Sequence, residues 1–156
     1  MLMKLVTHYI FTVGLLVWML PGYPGFLLSV WLAFSVNRLI DFGHTMKNGY
    51  PSRSWVTHDI LTAPFWGLAV GFLTYYLLGY ANMKIPLVIL AGLVAALSHL
   101  FLDSLTGSGV FVAGKRRALA HISHGNRLIN FVFIAAGLFL ILATLVYPFG
   151  TVFPGI

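Results

Sequence analysis

The stretch IPLVILAGLVAALSHLFLDSL, residues 85–105, is long and apolar enough to form a membrane-spanning helix. Such a helix needs about 20 predominantly apolar residues, and the only ionisable side chains in this run are His99 and Asp103. Because the two are four residues apart, a helix presents both on one face. The run therefore predicts a membrane helix that carries an imidazole next to a carboxylate.

The rest of the chain has the same apolar character. Hydrophobic residues make up 60% and charged residues 8%, against about 25% charged residues in ordinary soluble domains. Four further apolar runs cover residues 5–20, 26–40, 60–80 and 128–147, with turns predicted at 21–25 and 79–86. Because the bilayer core leaves no backbone group unpaired, we expect an all-α fold made only of helices. The prediction is a single domain over residues 1–156, an integral membrane bundle of about five transmembrane helices.

Five spans divide the loops between two membrane faces. One face receives the N-terminus and the segments 41–59 and 106–127, and it holds all the basic residues except Lys84: Lys4, Arg38, Lys47, Arg53, Lys115, Arg116, Arg117 and Arg127. The positive-inside rule then predicts a multi-pass protein of the cell membrane with a cytoplasmic N-terminus and an external C-terminus. In this setting the net charge of +6 indicates topology and contact with lipid headgroups, and no nucleic-acid partner is expected.

Each of the three carboxylates in the chain lies near a histidine in the sequence. A carboxylate is costly in so apolar a protein, and the chain has no cysteine. A metal site must therefore use His and Asp, which favours zinc, with manganese or iron as alternatives. All these groups fall at the predicted cytoplasmic face, where helices can present them to one pocket. The candidate ligands from this reasoning are His8, Asp41, His44, His99 and Asp103.

Several of these groups also have a purely structural interpretation. Any one histidine near a helix end can simply lie at the headgroup level, and Asp59 falls in a first helical turn, where the helix dipole favours a carboxylate. His121 and His124 lie in a basic loop that we expect to be solvated. Asp103 is different, because the dipole disfavours a carboxylate at the end of a helix. It needs a positive partner, either a metal or Arg53.

Four short segments resemble a known family. The string SHLFLDSLTGSGV, residues 98–110, resembles the HLLLDLLTPTGV signature of the YdjM-like membrane proteins, predicted metal-dependent hydrolases. Thr7-His8 resembles their N-terminal TH, Asp41 with His44 their PDxDH segment, and Arg53 with Thr57-His58 their HRGxTHS segment. The strings THYIF and KRRALAH also resemble those of an archaeal group of small membrane proteins.

The resemblance implies a metal-dependent phosphoesterase site. The YdjM-like family has been compared with zinc-dependent phospholipase C and related single-strand nucleases, which place an H-x-x-x-D ligand pair on a helix. The implied ligands are His8, Asp41, His58, His99 and Asp103, with His44 as a further candidate. The chain has one acid where PDxDH has two, and it lacks the leading histidine of HRGxTHS and an N-terminal tryptophan ligand. One or two metal ions are therefore expected, and not three.

The expected function is a membrane-embedded hydrolase of a phosphoester at the cytoplasmic face, with a lipid-linked phosphoester as the favoured substrate. A bound metal would lower the pKa of its water toward about 7, Asp59 or Asp103 would orient that water, and Arg53 with Lys115, Arg116 and Arg117 would hold the phosphate. One alternative is a non-catalytic scaffold with a structural metal site. Another is an ion or proton carrier, which is disfavoured because few polar residues continue toward the far membrane face.

Overall fold

Five long helices occupy the five apolar runs. The computed structural model describes residues 5–20, 22–47, 50–78, 84–123 and 125–146. Its helices are α1 Leu5–Val17, α2 Gly22–Phe42, the short α3 Trp55–His58, α4 Ala63–Leu78, α5 Ile85–Ser104 and α6 Arg127–Val146. The expectation of a helical fold is confirmed.

The surface and the interior of the bundle have the polarity expected of a protein surrounded by lipid. By length and composition, α2, α5 and α6 can each cross a membrane, whereas α1 and α4 are shorter apolar helices. Large apolar side chains such as Phe65 and Phe139 are exposed, while polar side chains such as Asn37 and Ser98 are buried. The interior also contains an apolar core that includes Leu16, Leu32 and Val36. An extensive exposed apolar surface is unusual in a soluble domain and matches a membrane environment.

Glycines let two pairs of helices approach closely. On α1 a Cβ atom at Gly14 would lie 2.6 Å from the carbonyl oxygen of Gly137 on α6, and on α5 a Cβ atom at Gly92 would lie 2.2 Å from that of Gly67 on α4. Small residues at such contacts allow membrane helices to pack backbone against backbone. These contacts bring α6 against α1 and close the five helices into one bundle.

The second helix begins earlier than the apolar run indicates. The turn predicted over 21–25 is largely wrong, because α2 begins at Gly22. Pro24 is compatible with this start, since its missing N–H belongs to the first turn, where it has no intrahelical acceptor. At its other end the helix continues to Phe42. Asp41 is therefore helical, one turn after Asn37, and both side chains face the interior of the bundle.

Two β-hairpins contradict the expectation that the fold contains only helices. Strands β1 His44–Lys47 and β2 Tyr50–Arg53 pair antiparallel with His44 opposite Arg53, and β3 Val110–Val112 pairs with β4 Lys115–Arg117. Ala113 and Gly114 both have positive φ angles, as a two-residue type I′ turn requires. The hairpins lie in the connections between helices. There, strand pairing provides hydrogen bonds for backbone N–H and C=O groups that are not part of a helix.

The two hairpin-bearing segments meet at one end of the bundle. The backbone N–H of Ile60 donates to the carbonyl of Phe111 at 2.9 Å, so the segment after β2 contacts strand β3. The sequence analysis placed both segments on the same membrane face, and their contact agrees with that arrangement. Together with the ends of α1, α2 and α5, they enclose the candidate site.

Candidate metal centre

The six candidate ligands lie together at this end of the bundle, although five separate elements supply them: α1, α2, β1, α3 and α5. Asp103 is at the centre of the group. Its Oδ1 lies 3.3 Å from Nε2 of His8, and its Oδ2 lies 3.3 Å from Nε2 of His99 and 3.6 Å from Nε2 of His58. The i, i+4 pair on α5 therefore faces imidazoles from two further helices.

Asp41 extends the cluster toward the more exposed side. Its Oδ1 lies 3.5 Å from Nε2 of His99 and 3.4 Å from Nδ1 of His44. Two groups of potential ligands result, one of His8, His99 and Asp103 and one of Asp41, His58 and His99. Within each group the ligand atoms lie within 4.8 Å of one another, and His99 belongs to both. His99 faces both groups with the same atom, Nε2, and a single ring nitrogen binds only one ion. This geometry can therefore hold one ion, and a second ion would need ligands other than His99.

The innermost polar atoms of the cluster lack hydrogen bonds. Nε2 of His8, His58 and His99 and Oδ2 of Asp103 are buried and have no hydrogen-bond partner within the described part of the chain. Buried polar atoms are normally paired. The separations of 3.3–3.6 Å exceed an ordinary N–H···O distance, but tetrahedral bonds of zinc length put neighbouring ligand atoms about 3.4 Å apart. The spacing fits metal ligands better than hydrogen bonds.

A neighbouring amide fixes which nitrogen of His99 is free to bind a metal. Nδ2 of Asn37 donates to the carbonyl of Ala33 at 2.6 Å, so Oδ1 of Asn37 is the atom 2.7 Å from Nδ1 of His99. An amide oxygen only accepts, and Nδ1 must therefore carry the proton. In the neutral ring the lone pair is then on Nε2, which faces Asp103 and Asp41. A lone pair facing two carboxylates is unfavourable unless a cation lies between them.

The Nδ1 atom of His58 also contacts a neighbouring polar side chain, which leaves its Nε2 directed at the cluster. Its Nδ1 lies 2.8 Å from the hydroxyl oxygen of Thr57, and Nε2 points toward Asp103. The helix that carries both residues, α3, is capped by the Ser54 side chain, which accepts from the N–H of Val56. Burial lowers the pKa of His58 to about 3, so this imidazole is neutral at physiological pH. Neutral imidazole is the form that binds a metal.

Arg53 provides the positive partner that Asp103 needs at the end of its helix. One guanidinium nitrogen of Arg53 lies 2.6 Å from Oδ1 of Asp103, and another donates to the carbonyl of Gly109. The arginine side chain is almost fully buried, and the bonds fix its orientation. Arg53 therefore positions Asp103. Its predicted role in binding phosphate stays a prediction.

Asp59 lies outside this group of contacts. Its Oδ1 accepts from the N–H of Leu61 at 2.9 Å, and its Oδ2 accepts from the N–H of Gly114 at 2.8 Å. Both oxygens are thus bound to backbone, and the side chain joins the turn before α4 to the hairpin β3–β4. The expectation that Asp59 lies in a first helical turn is wrong, because Asp59 is the C-cap of α3 and α4 begins only at Ala63. Its backbone bonds give it a structural role in a turn, and a water-orienting role stays a prediction.

The basic run lies in strand β4. The side chains of Lys115, Arg116 and Arg117 are exposed, and that of Arg116 donates to the carbonyls of Ser108 and Gly107. Of the two loop histidines, His121 is exposed, as expected, and His124 lies outside the described residues. In the part of the chain that the structure describes, no hydrogen bond or ion pair joins these three side chains to the six ligands, and their role in phosphate binding stays a prediction.

Comparison with known proteins identifies a family. Residues 3–102 match the family described as "Protein of unknown function (DUF1286)". The chain belongs to the DUF1286 family. No curated protein and no solved structure matches the chain. The DUF1286 match includes five of the six candidate ligands and ends just before Asp103.

The DUF1286 segment also contains three supporting residues that the sequence analysis missed. They are Thr12, Asn37 and Ser98. Asn37 bonds to His99, Nδ2 of Asn37 lies 3.4 Å from Oγ1 of Thr12, and Oγ1 of Thr12 lies 2.7 Å from Oγ of Ser98. One signal was available in the sequence: Asn37 is a polar residue within an apolar run, one helical turn before Asp41, so a helix places both on one face.

Proposed function

We propose that the chain is a membrane-embedded, metal-dependent hydrolase that acts on a phosphoester at the cytoplasmic face, with a lipid-linked phosphoester as the favoured substrate. The observation that carries the proposal is the set of four buried atoms without hydrogen bonds: Nε2 of His8, His58 and His99, and Oδ2 of Asp103. Their spacing matches the ligand separations of a divalent cation. Zinc suits this donor set best, with manganese or iron as alternatives.

The proposed membrane arrangement has five spans. It supplements α2, α5 and α6 with the shorter apolar helices α1 and α4, which the bilayer can accommodate by local thinning. The ligand cluster then lies at the face that holds all basic residues but Lys84, which is the cytoplasmic face by the positive-inside rule. A site at this depth reaches a lipid headgroup without removing the lipid from the bilayer.

The ligands would have unequal roles. His8, His58, His99 and Asp103 are deeply buried and would form the permanent part of the site. Asp41 and His44 are the more exposed pair, with side-chain exposures of 18% and 32%, so the substrate would approach from their side. A divalent ion, when bound, would activate water and polarise a phosphoryl oxygen. Asp41 and His44, which lie 3.4 Å apart, are placed to bind a second ion or to accept a proton from that water.

A structural metal site is the second candidate function. The observation that favours it is burial, because the side chains of His58 and His99 have no exposed surface. A closed four-ligand site holds helices together, whereas a catalytic site keeps a coordination position open. The two candidates therefore differ in what removal of the metal does to activity and to stability.

One experiment separates the two candidates. The purified protein is offered a panel of lipid phosphoesters, and turnover and thermal unfolding are measured before and after chelation. If the protein is a hydrolase, turnover should disappear on chelation while the helical bundle stays folded. Turnover should also be absent in His99→Ala and persist in His121→Ala. A structural site predicts no turnover above that of His99→Ala, together with a large loss of thermal stability on chelation.

A further inference from the structure

An apolar cavity lies on the side of α5 that faces away from the ligand cluster. Its volume is about 280 Å³, near the lower end of ligand pockets, which range from about 300 to 1,000 Å³. The lining consists of Ile60, Leu97, Leu100, Phe101, Ser104, Val110, Val112, Arg117 and Leu119. The α5 helix therefore separates two sites, with His99 and Asp103 facing one and Leu100 and Ser104 lining the other.

The lining of the cavity is almost entirely apolar. Leu97 and Phe101 lie on α5 toward the middle of the bundle, and Ser104 ends the helix. The N–H of Leu119 donates to the carbonyl of Ser104 at 2.8 Å, which places the end of β4 at this mouth. Among the described residues, Arg117 is the only charged one that borders the cavity, and it does so with the apolar part of its side chain. A hydrocarbon chain thus has apolar contacts within the cavity, while the exposed guanidinium of Arg117 lies outside the apolar lining.

The guanidinium of Arg117 is available to a ligand. Its side chain is exposed and makes no hydrogen bond or ion pair with any residue that the structure describes, unlike the neighbouring Arg116, which donates to two carbonyls. The exposed Lys115 lies on the same strand. An arginine suits a phosphate group because its donors match two phosphate oxygens at once. The apolar cavity and the exposed guanidinium beside it therefore fit the same kind of ligand.

We propose that this cavity binds one acyl chain of an anionic phospholipid, with the lipid phosphate paired to Arg117. The proposal rests on the membrane placement of the chain and is independent of metal binding and hydrolysis. The lipid would pack against the back of α5 and the β3–β4 hairpin. Anionic lipid is favoured over neutral lipid because Arg117 and Lys115 are both unneutralised, and basic side chains near a membrane surface attract anionic headgroups.

Photocrosslinking tests the proposal on the full-length protein. The protein is reconstituted into phosphatidylcholine vesicles that contain a trace of either phosphatidylglycerol or phosphatidylcholine with a diazirine on the acyl chain. After illumination, labelled peptides are mapped by mass spectrometry. We expect phosphatidylglycerol to label the peptide that contains Leu97 and Phe101 several-fold more than phosphatidylcholine does. Inorganic phosphate should not compete, because it lacks the acyl chain.

Two variants and a matched control sharpen the test. Arg117→Gln should reduce phosphatidylglycerol labelling of that peptide about fivefold, the effect of removing one basic contact at a membrane surface. Leu100→Trp should fill the cavity and reduce labelling by both lipids. Arg127→Gln removes another exposed arginine, at the start of α6, and should leave labelling unchanged. Equal labelling by the two lipids, or an equal loss in the Arg117 and Arg127 variants, would overturn the proposal, because either result indicates ordinary bilayer contact.

Discussion

Asn37 donates from its amide nitrogen to a helix carbonyl and accepts from Nδ1 of His99 with its oxygen, at 2.7 Å. Asp41, one turn further along α2, lies 3.5 Å from the other ring nitrogen of His99. A single face of α2 therefore contacts both nitrogens of this imidazole. The first contact fixes the proton on Nδ1, and the second directs a carboxylate at the free lone pair.

Substitution of Asn37 should change metal affinity without removing a ligand. Asn37→Leu deletes the acceptor for Nδ1 and should weaken metal binding about 10- to 100-fold, the usual effect of losing a partner that orients a metal-binding histidine. Asn37→Asp keeps an acceptor at the same position and should retain affinity at or above that of the native protein. The measurement is competition with a chromophoric chelator. If Leu and Asp at this position have the same effect, the orienting role of Asn37 is wrong.

Loss of Arg53 should destabilise the protein most when no metal is bound. Arg53→Met leaves the Asp103 carboxylate buried without its cation, and breaking a buried ion pair typically costs about 3–5 kcal/mol. A bound metal neutralises the same carboxylate, so metal should recover part of that loss.

Unfolding of the Arg53 variant is followed in mixed detergent with and without zinc. Arg116→Met serves as the control. The Arg116 side chain is exposed and its guanidinium bonds to the carbonyls of Gly107 and Ser108, before β3, so its loss should change the unfolding free energy little. An Arg53→Met variant that is as stable as the native protein without metal contradicts this role.

The substitution Gly92→Ala should disturb the packing of α4 against α5, because it adds a methyl group at the contact between the two helices. A Cβ atom there would lie 2.2 Å from the carbonyl oxygen of Gly67, so the helices must move apart, and overpacking of this kind costs about 1–3 kcal/mol. Gly107→Ala is a suitable control, since its Cβ would meet no atom within 4 Å. Thermal melts of both variants in the same detergent test the prediction, and equal melting temperatures would argue against the close helix contact.

Cysteine labelling tests the proposed orientation, and the absence of native cysteine makes the background low. Ser123→Cys lies in the segment assigned to the cytoplasm, and Lys84→Cys lies on the opposite side. An impermeant thiol reagent added to intact cells should label the cysteine at position 84 and reach that at 123 only after the cells are opened. The reverse pattern would invert the topology and place the ligand cluster outside.

The sequence predicted the helices well because their signal is strong. Each long apolar run contains a helix, and ionisable residues are so few that His99 and Asp103 stand out in theirs. The six candidate ligands lie together at one end of the bundle, as the predicted alternation of spans led us to expect. The start of α2 at Gly22 was missed, because the two prolines and two glycines nearby are also typical of a turn.

The hairpins and the supporting residues of the site were harder to predict. The strands are only three or four residues long, too short for an alternating pattern, and their pairing depends on contacts that sequence spacing does not reveal. Asp59 is assigned to a turn only by its bonds to Leu61 and Gly114. The role of Asn37 depends on the direction of one amide, which no sequence pattern indicates.

Metal content measured after purification tests the central claim most directly. The native protein, His99→Ala and His121→Ala are purified in parallel without added metal, and bound zinc, manganese and iron are counted by elemental analysis. His99 belongs to both ligand groups, whereas His121 is exposed and serves as the matched control. We predict one or two tightly bound ions in the native protein and the control, and loss of most of them in His99→Ala. Absence of metal from the native protein, even after incubation with zinc, or equal metal in all three proteins, would contradict the metal centre.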